Sequence, residues 1–334
     1  MKINLEKLRP YLLNKEISEK EVVKNIIEIS QKFTKNRQQI IDYVEDEDLV
    51  SSYALFYLPT NVPKFEFVFS KLDKDLQDYI LNNAFIDVGC GPGTYSYAIS
   101  MLGHKADNKC IDRSSLMLKQ AQKILTNTFL EKEFIFQANL AERIPHSTLF
   151  FGNSINEMGI QNAIDLVNIV SPEVVMFIEP GTSELFTELK KIRTWLLYEY
   201  DVVYPCPGNG KCPNSWCHQV LRMTHELDVE RLSQLVSLDR KIMPMTAHVY
   251  VKKKNNLIPR TDVITVRYLN ETKFSFIYEA CESVDGNNQL IKIEILKKHL
   301  SKEQERNFKN ANIGERLNFI KEKQVGDTWR GHVN

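Results

Sequence analysis

Ala84-Phe85-Ile86-Asp87-Val88-Gly89-Cys90-Gly91-Pro92-Gly93-Thr94 is the stretch that decides the fold. A short apolar run ending in Asp87 and Val88 reads as a buried strand, and the three alternating glycines read as a tight turn into a helix. Glycine lets backbone approach a ligand closely, and the N-terminus of the next helix offers amides with partial positive charge. The spacing is Gly-x-Gly-x-Gly, not the Gly-x-Gly-x-x-Gly of the dinucleotide fingerprint. Downstream, short apolar segments at 85–88, 108–111, 134–137, 149–152 and 174–178 alternate with helical ones. A helix over 182–198 and a strand over 201–204 follow. That alternation predicts the α/β class, a parallel sheet covered on both faces.

Working outward, Ser18 with Glu21 forms a capping box, and Val22, Ile26, Ile29 and Phe33 repeat at helical spacing. A second apolar run is expected to end at Pro59. Phe65, Val68, Leu72, Leu76 and Tyr79 make a third stripe, closed by Asn82-Asn83. These predict a helical N-terminal cap over 1–83. A sheet domain then spans 84–257, with a loop at 205–218 and a strand at 247–252 completing the sheet. Beyond Pro259 the pattern predicts a small β-rich domain over 258–334, with strands near 263–268, 273–279 and 289–295. A helix starting at Ser301, with Gln304 in its capping box, is expected to end it.

The chain has 334 residues, 43% of them hydrophobic, enough for two cores. Lysine plus arginine equals aspartate plus glutamate at 43 each, so any contact with a polyanion must come from local patches. Met1 to Lys15 mixes acids and bases, unlike a secretory signal, and no stretch nears the roughly 20 apolar residues of a membrane helix. The expectation is a soluble protein in a reducing compartment with no membrane partner. There, clustered cysteines suggest metal more than disulfide.

Cys206, Cys212 and Cys217 sit in a segment rich in proline, glycine and asparagine, so its shape should be set by what it binds. Three thiols need a fourth ligand, and Cys281 and His218 are the candidates. Four thiolates suit a tetrahedral zinc or an iron-sulfur cluster. Cys110, on a buried strand, and Cys90, in the glycine turn, read as small core residues.

The glycine turn resembles motif I of class I S-adenosylmethionine-dependent methyltransferases. The resemblance implies a Rossmann-like sheet and a cofactor site on Asp87, Gly89, Gly91 and Gly93, with the turn's amides facing the methionine carboxylate. Asp112, 25 residues after Asp87, would serve the ribose, and Asn139 the adenine. Gly152 to Glu157 lacks the Asn/Asp-Pro-Pro-aromatic pattern of amino-group methylases, and the sequence names no catalytic base.

Taken with the rest of the chain, the residues resemble the mitochondrial ribosomal small-subunit methyltransferase-like proteins, the Rsm family, and their bacterial relatives. The resemblance rests on the Gly89 to Gly93 turn and on Val175-Met176-Phe177-Ile178-Glu179-Pro180-Gly181-Thr182 with Arg193. It also rests on the Pro205-Cys206-Pro207 to Cys217-His218 segment and on Gly326-Asp327-Thr328-Trp329. It implies a four-iron four-sulfur cluster on Cys206, Cys212, Cys217 and Cys281. It also implies work on small-subunit rRNA in ribosome assembly or translation, in the cytoplasm or, in a eukaryote, the mitochondrial matrix. Alternatives are a methyltransferase of a small molecule or protein with a structural zinc loop, and a non-catalytic assembly factor. In departure from the family, Gln219, Val220 and Leu221 stand where a phenylalanine and basic residues are usual, and the run before Cys281 keeps only Arg260, Arg267 and Lys273. Candidate phosphate contacts are Lys190, Lys191, Arg193, Lys252 to Lys254, Lys297 and Lys298, although such runs are more often solvated faces. Trp216 would stack on a base or shield the metal, and Trp329 would pack the C-terminal domain.

Overall fold

The protein is described here from a computed structural model covering residues 1–35, 46–214, 216–253, 262–309 and 313–333. The Phe33 side chain, Lys254, Pro259 and Arg260 lie outside the described residues. Two compact units are present: Met1–Ile178 with Met223–Ile242, and Glu179–Arg222 with Met243–Asn334. The N-terminal helices thus share a unit with the first strands, and the cysteine segment shares one with the C-terminal strands.

The first unit opens with helices α1 (Leu5–Leu8), α2 (Glu19–Lys35), α3 (Glu47–Phe69) and α4 (Lys74–Asn82). The α2 capping box forms as expected: Glu21 N donates to Ser18 Oγ and Ser18 N to Glu21 Oε2, both at 3.3 Å. The break expected at Pro59 does not occur, because α3 runs through Pro59 and Pro63 to Phe69. A helical proline costs about 3 kcal/mol, but a fully buried Leu, Val or Phe contributes about 1.5–3 kcal/mol. Leu55, Phe56, Leu58, Val62, Phe65 and Val68 are all buried to 1% exposure or less, so packing outweighs propensity. The stripe read as one helix through Tyr79 is instead two, divided at Ser70–Asp73.

Next come β1 (Ala84–Val88), α5 (Thr94–Met101), β2 (Asn108–Ile111), α6 (Ser115–Thr128), β3 (Phe134–Gln137), β4 (Ser147–Gly152), α7 (Ile155–Met158), α8 (Ile160–Val170) and β5 (Val174–Pro180). The strands are parallel in the order β3-β2-β1-β4-β5. The order reverses between β1 and β4, and open α/β sheets bind ligands at the carboxyl ends of strands flanking such a point. Phe65 of α3 meets Phe85 of β1 and Phe150 of β4 at ring-centroid distances of 5.8 and 5.5 Å, locking the helical region onto this sheet.

The second unit holds α9 (Ser183–Leu196), β6 (Tyr200–Tyr204) and β7 (Gln219–Arg222). After α10 (Leu227–Leu235), which belongs to the first unit, β8 (Ile242–Lys252) pairs antiparallel with β6. Strands β9 (Val263–Glu271), β10 (Ser275–Val284) and β11 (Asn287–Leu296) form a meander, followed by α11 (Lys302–Lys309), β12 (Arg316–Leu317), β13 (Phe319–Val325) and β14 (Thr328–Val333). These make a second sheet ordered β12-β9-β10-β11-β14-β13. The helix at Ser301 starts with its capping box, Gln304 N donating to Ser301 Oγ at 3.1 Å. It does not end the chain, since β12 to β14 follow. Their signal is faint because β13 buries only Phe319 and leaves the rest exposed. Trp329 packs on the core of this sheet, as expected.

Candidate functional site

The turn after β1 uses each glycine differently. All three have positive φ: 68° at Gly89, 54° at Gly91 and 82° at Gly93. A Cβ on Gly89 would lie 2.7 Å from Ser154 Cβ, and one on Gly93 2.8 Å from Leu125 Cδ1, so these two let neighbouring elements close in. A Cβ on Gly91 would meet only Tyr53, at 4.0 Å. That space is a cavity of about 520 Å³ whose lining includes Gly89, Gly91, Asp112, Asn139, Tyr53 and Glu157. Of the residues singled out from the sequence, Gly89, Gly91, Asp112 and Asn139 line it, while Asp87 and Gly93 support it from behind.

The turn's amides are largely spent on shaping it. Gly89 and Cys90 donate to Ile111 O at 2.8 and 3.0 Å, Gly93 donates to Cys90 O at 3.0 Å, and Gly91 donates to Asp112 Oδ2 at 2.9 Å. Asp112 Oδ1 accepts from Ser114 N at 2.9 Å, which fixes the carboxylate at the end of β2. Burial raises the Asp112 carboxyl above its ordinary range, against the pull of those two amides. Asp87 is fully buried. Its Oδ2 accepts from Ser96 N and Oγ, both at 2.9 Å, and its Oδ1 has no partner. Burial pushes this carboxyl up to about 7. Cys90 and Cys110 pack with Ala121 and Leu125 as core residues.

Sequence reasoning missed Tyr53 and Asn61 of α3, and Arg113 and Glu157 near Asp112, all of which line the cavity. Burial pushes the Glu157 carboxyl up to about 7 although Arg113 lies 3.5 Å away. The sequence carried little signal for Tyr53 and Asn61, which stand among other polar residues of the same helix such as Ser51, Ser52, Thr60 and Lys64.

The cysteine segment is folded by groups outside it. Arg193 of α9 is 3% exposed and donates to the carbonyls of Gly208 and Gly210 at 3.1 and 2.7 Å. Asn288, at the start of β11, donates to the same two carbonyls at 2.9 and 3.1 Å. Lys190 reaches Asn214 O at 2.9 Å, and Asn209 Oδ1 accepts from Val202 N at 3.0 Å. A Cβ on Gly208 would fall 2.5 Å from Ser283 Oγ, and one on Gly210 2.5 Å from Gly286 O. The loop therefore lies tight against the β10–β11 turn. Cys281 sits inside β10, between Ile264 of β9 and Leu290 of β11, rather than at a strand end.

Burial raises the thiols of Cys206, Cys217 and Cys281, the last to about 12. After burial, the largest influences on Cys217 are Cys206, Cys212 and Cys281, while Arg193 eases the charge on Cys206. Among the described residues, no three of the four sulfurs come within 4.8 Å of one another. Trp216 stacks on His218 at 4.6 Å between centroids, and His218 Nδ1 is buried without a partner.

The basic residues offered as phosphate contacts are mostly engaged within the fold. Arg193 and Lys190 hold the cysteine segment, Lys191 pairs with Glu188 at 2.7 Å and Lys297 with Glu271 at 2.6 Å, and Lys253 donates to Leu197 O at 2.8 Å. Among the described residues, no helix is long and apolar enough to cross a membrane.

A family model described as mitochondrial small ribosomal subunit Rsm22 matches residues 46–275, well over half the chain. A search of curated protein sequences gave no match. Among solved structures, magnesium protoporphyrin IX methyltransferase from Synechocystis with bound SAM is 12% identical, covering 72% of this chain and 100% of its own, with a TM-score of 0.40. Precorrin-6y C5,15-methyltransferase from Geobacter metallireducens is 14% identical over 56% of this chain and 88% of its own, with a TM-score of 0.37. A SAM-dependent methyltransferase from Thiobacillus denitrificans with S-adenosyl-L-homocysteine is 14% identical over 57% and 91%, with a TM-score of 0.36. The fold is α/β, as expected, with a parallel run of strands in the first sheet and a second, β-rich C-terminal sheet.

Proposed function

The chain belongs to the mitochondrial small ribosomal subunit Rsm22 family, and on that premise we propose that it works on the small ribosomal subunit as a methyltransferase-like protein. In this reading it binds S-adenosylmethionine and a four-iron four-sulfur cluster, and contacts small-subunit rRNA during assembly or translation. In a eukaryote its place is the mitochondrial matrix. The observation that carries the reading is that one family match spans both the Gly89–Gly93 turn and the Cys206–Cys217 segment.

The cavity at β1 fits the cofactor. Gly91 leaves open the volume a side chain would fill, and Asp112 is a fixed carboxylate suited to hydroxyl donors. Asn139 lines the wall beyond the end of β3. When bound, S-adenosylmethionine supplies an activated methyl group. The chain's part is to hold and orient it, which is the main demand of methyl transfer. Asp87 acts through Ser96, keeping the start of α5 against β1.

The cysteine segment fits a four-sulfur centre. Buried thiols with raised proton affinity lack only a cation to favour their ionised form, and Arg193 is already placed against that charge. A tetrahedral zinc with 2.3 Å bonds would draw its sulfurs to roughly 3.8 Å from each other.

Crosslinking in cells followed by RNA sequencing tests the ribosomal reading. Small-subunit rRNA should be enriched over other abundant RNAs, and equal recovery of all of them would overturn it. Protein purified without oxygen should be coloured and contain iron; colourless protein with stoichiometric zinc would overturn the cluster assignment.

A further inference from the structure

A third group of ligating side chains lies on the C-terminal sheet, with no part in either site above. His299 stands in the short 3-10 turn after β11, Glu322 in β13 and His332 in β14. Their nearest ligand atoms all lie within 4.8 Å of one another. His332 Nδ1 is 2.6 Å from Glu322 Oε1, and His299 Nε2 is 3.9 Å from the same oxygen. The two imidazole centroids are 5.2 Å apart.

The backbone brings these three together by two devices. Parallel pairing sets Ile295 of β11 beside Gly331 of β14, so the turn that follows delivers His299 next to His332. That turn is pinned by Lys297 N donating to Phe274 O and Leu300 N to Lys297 O, both at 2.9 Å. The second device is a β-bulge. In the β13–β14 pair Lys321 faces Gly331 and Lys323 faces Arg330, leaving Glu322 as the extra residue. Bulges re-aim a side chain that regular pleating would place elsewhere, and here the re-aimed group is the carboxylate shared by both histidines.

We propose that His299, Glu322 and His332 form a binding site for a divalent transition-metal ion of the imidazole-preferring kind, such as zinc(II) or cobalt(II). Two imidazoles and one carboxylate are a donor set such ions favour, whereas calcium and magnesium prefer all-oxygen ligands. Bonds of about 2.0–2.2 Å place ligand atoms roughly 3.3 Å apart in a tetrahedron. Half-exposed side chains on a fixed backbone reach that spacing by small rotations, leaving one position to water. The ion would staple the turn after β11 to β13, the edge strand of its sheet.

The test is a cobalt(II) titration of the full chain, followed in the visible d–d bands. Cobalt on thiolates also gives a near-ultraviolet charge-transfer band, so the cysteine segment reports separately. The wild-type chain should take up one cobalt ion without a thiolate band. His299→Ala, Glu322→Gln and His332→Ala should each weaken that binding at least about tenfold and leave any thiolate band unchanged. Should His332→Ala fail to fold, His299→Ala, on the exposed turn, decides. Identical isotherms for wild type and variants, or uptake only with the thiolate band, would overturn the site. Neither result touches the reading of the cysteine segment.

Discussion

The glycine turn and the cysteine segment are assembled by opposite means. Gly89, Gly91, Asp112 and Asn139 come from the ends of adjacent parallel strands, so sheet geometry gathers them without further help. The cysteine segment has no regular backbone of its own. Its carbonyls are held by Arg193 from a helix before it and by Asn288 from a strand far after it. One site is a consequence of topology; the other depends on a few side chains and, in the proposed reading, on the centre its sulfurs would hold.

The largest expected effect follows from that dependence. Cys217 feels all three other sulfurs, and on the proposed four-iron four-sulfur reading Cys217→Ser should lower iron from about four per chain to nearly none. Apparent metal–thiolate binding free energies on the order of 10 kcal/mol couple directly to folding. The second unit should therefore become protease-sensitive while the first stays resistant. Metal analysis with limited proteolysis checks both, and full iron retention would break the comparison.

The next effect belongs to the first unit and appears as a pH dependence. Asp87 is pushed up to about 7 in the folded chain, against 3.8 ordinarily. Below about pH 4 it is protonated folded or unfolded, and the protonated form is the one the fold prefers. Between about pH 4 and 7 the unfolded chain is ionised at this carboxyl while the folded chain holds its proton, so stability falls across that window, by about 4 kcal/mol at most, and levels off above 7. Urea unfolding of Asp87→Asn across pH 4 to 8 should show a flatter profile than wild type. An unchanged slope would show that Asp87 titrates normally.

Smaller again is the effect of the loop's clamp. Arg193→Met leaves the Gly208 and Gly210 carbonyls with Asn288 alone, and losing charged hydrogen bonds to buried acceptors costs about 2–3 kcal/mol. Arg193→Lys should recover only part of this, because an ammonium does not reproduce the guanidinium fork. Equal denaturation midpoints for wild type and Arg193→Lys would mean that charge alone matters, and the fork geometry would then have no role.

How much of this was legible tracks the same contrast. Strands β2 and β3 fall on the expected residues, and β1, β4 and β5 within two residues of them, because buried parallel strands write short apolar runs between turn residues. The capping boxes at Ser18 and Ser301 were equally readable, being local chemistry. Helix α3 was not: its two prolines argue locally for a break, and only tertiary burial overrides them. Strand β13 was hidden because all its side chains but Phe319 face water, and β14 because its residues other than Gly331 are only half-buried on both faces and write no apolar alternation. Arg193 carried no sign that it would be buried, since a charged residue on an amphipathic helix is usually solvated. The bulge at Glu322 cannot be read from one strand, because it is a property of a pair.

The smallest expected change in stability is also the sharpest test of the glycine turn. Gly91→Ala and Gly93→Ala both place a side chain at positive φ, which costs about 1 kcal/mol. At Gly93 the new Cβ also meets Leu125 Cδ1 at 2.8 Å, and overpacking adds about 1–3 kcal/mol. At Gly91 it enters the cavity and meets nothing closer than 4.0 Å, so the cost should stay near 1 kcal/mol. Affinity should run the other way. Gly91→Ala intrudes on the space assigned to S-adenosylmethionine and should weaken its binding at least about tenfold, a loss of roughly 1.4 kcal/mol. Gly93→Ala, whose Cβ faces α6, should bind nearly as wild type wherever it folds. Calorimetric titration and thermal unfolding on the same two variants separate these roles; equal loss of affinity in both would mean that the turn's conformation, not the open volume at Gly91, governs the pocket.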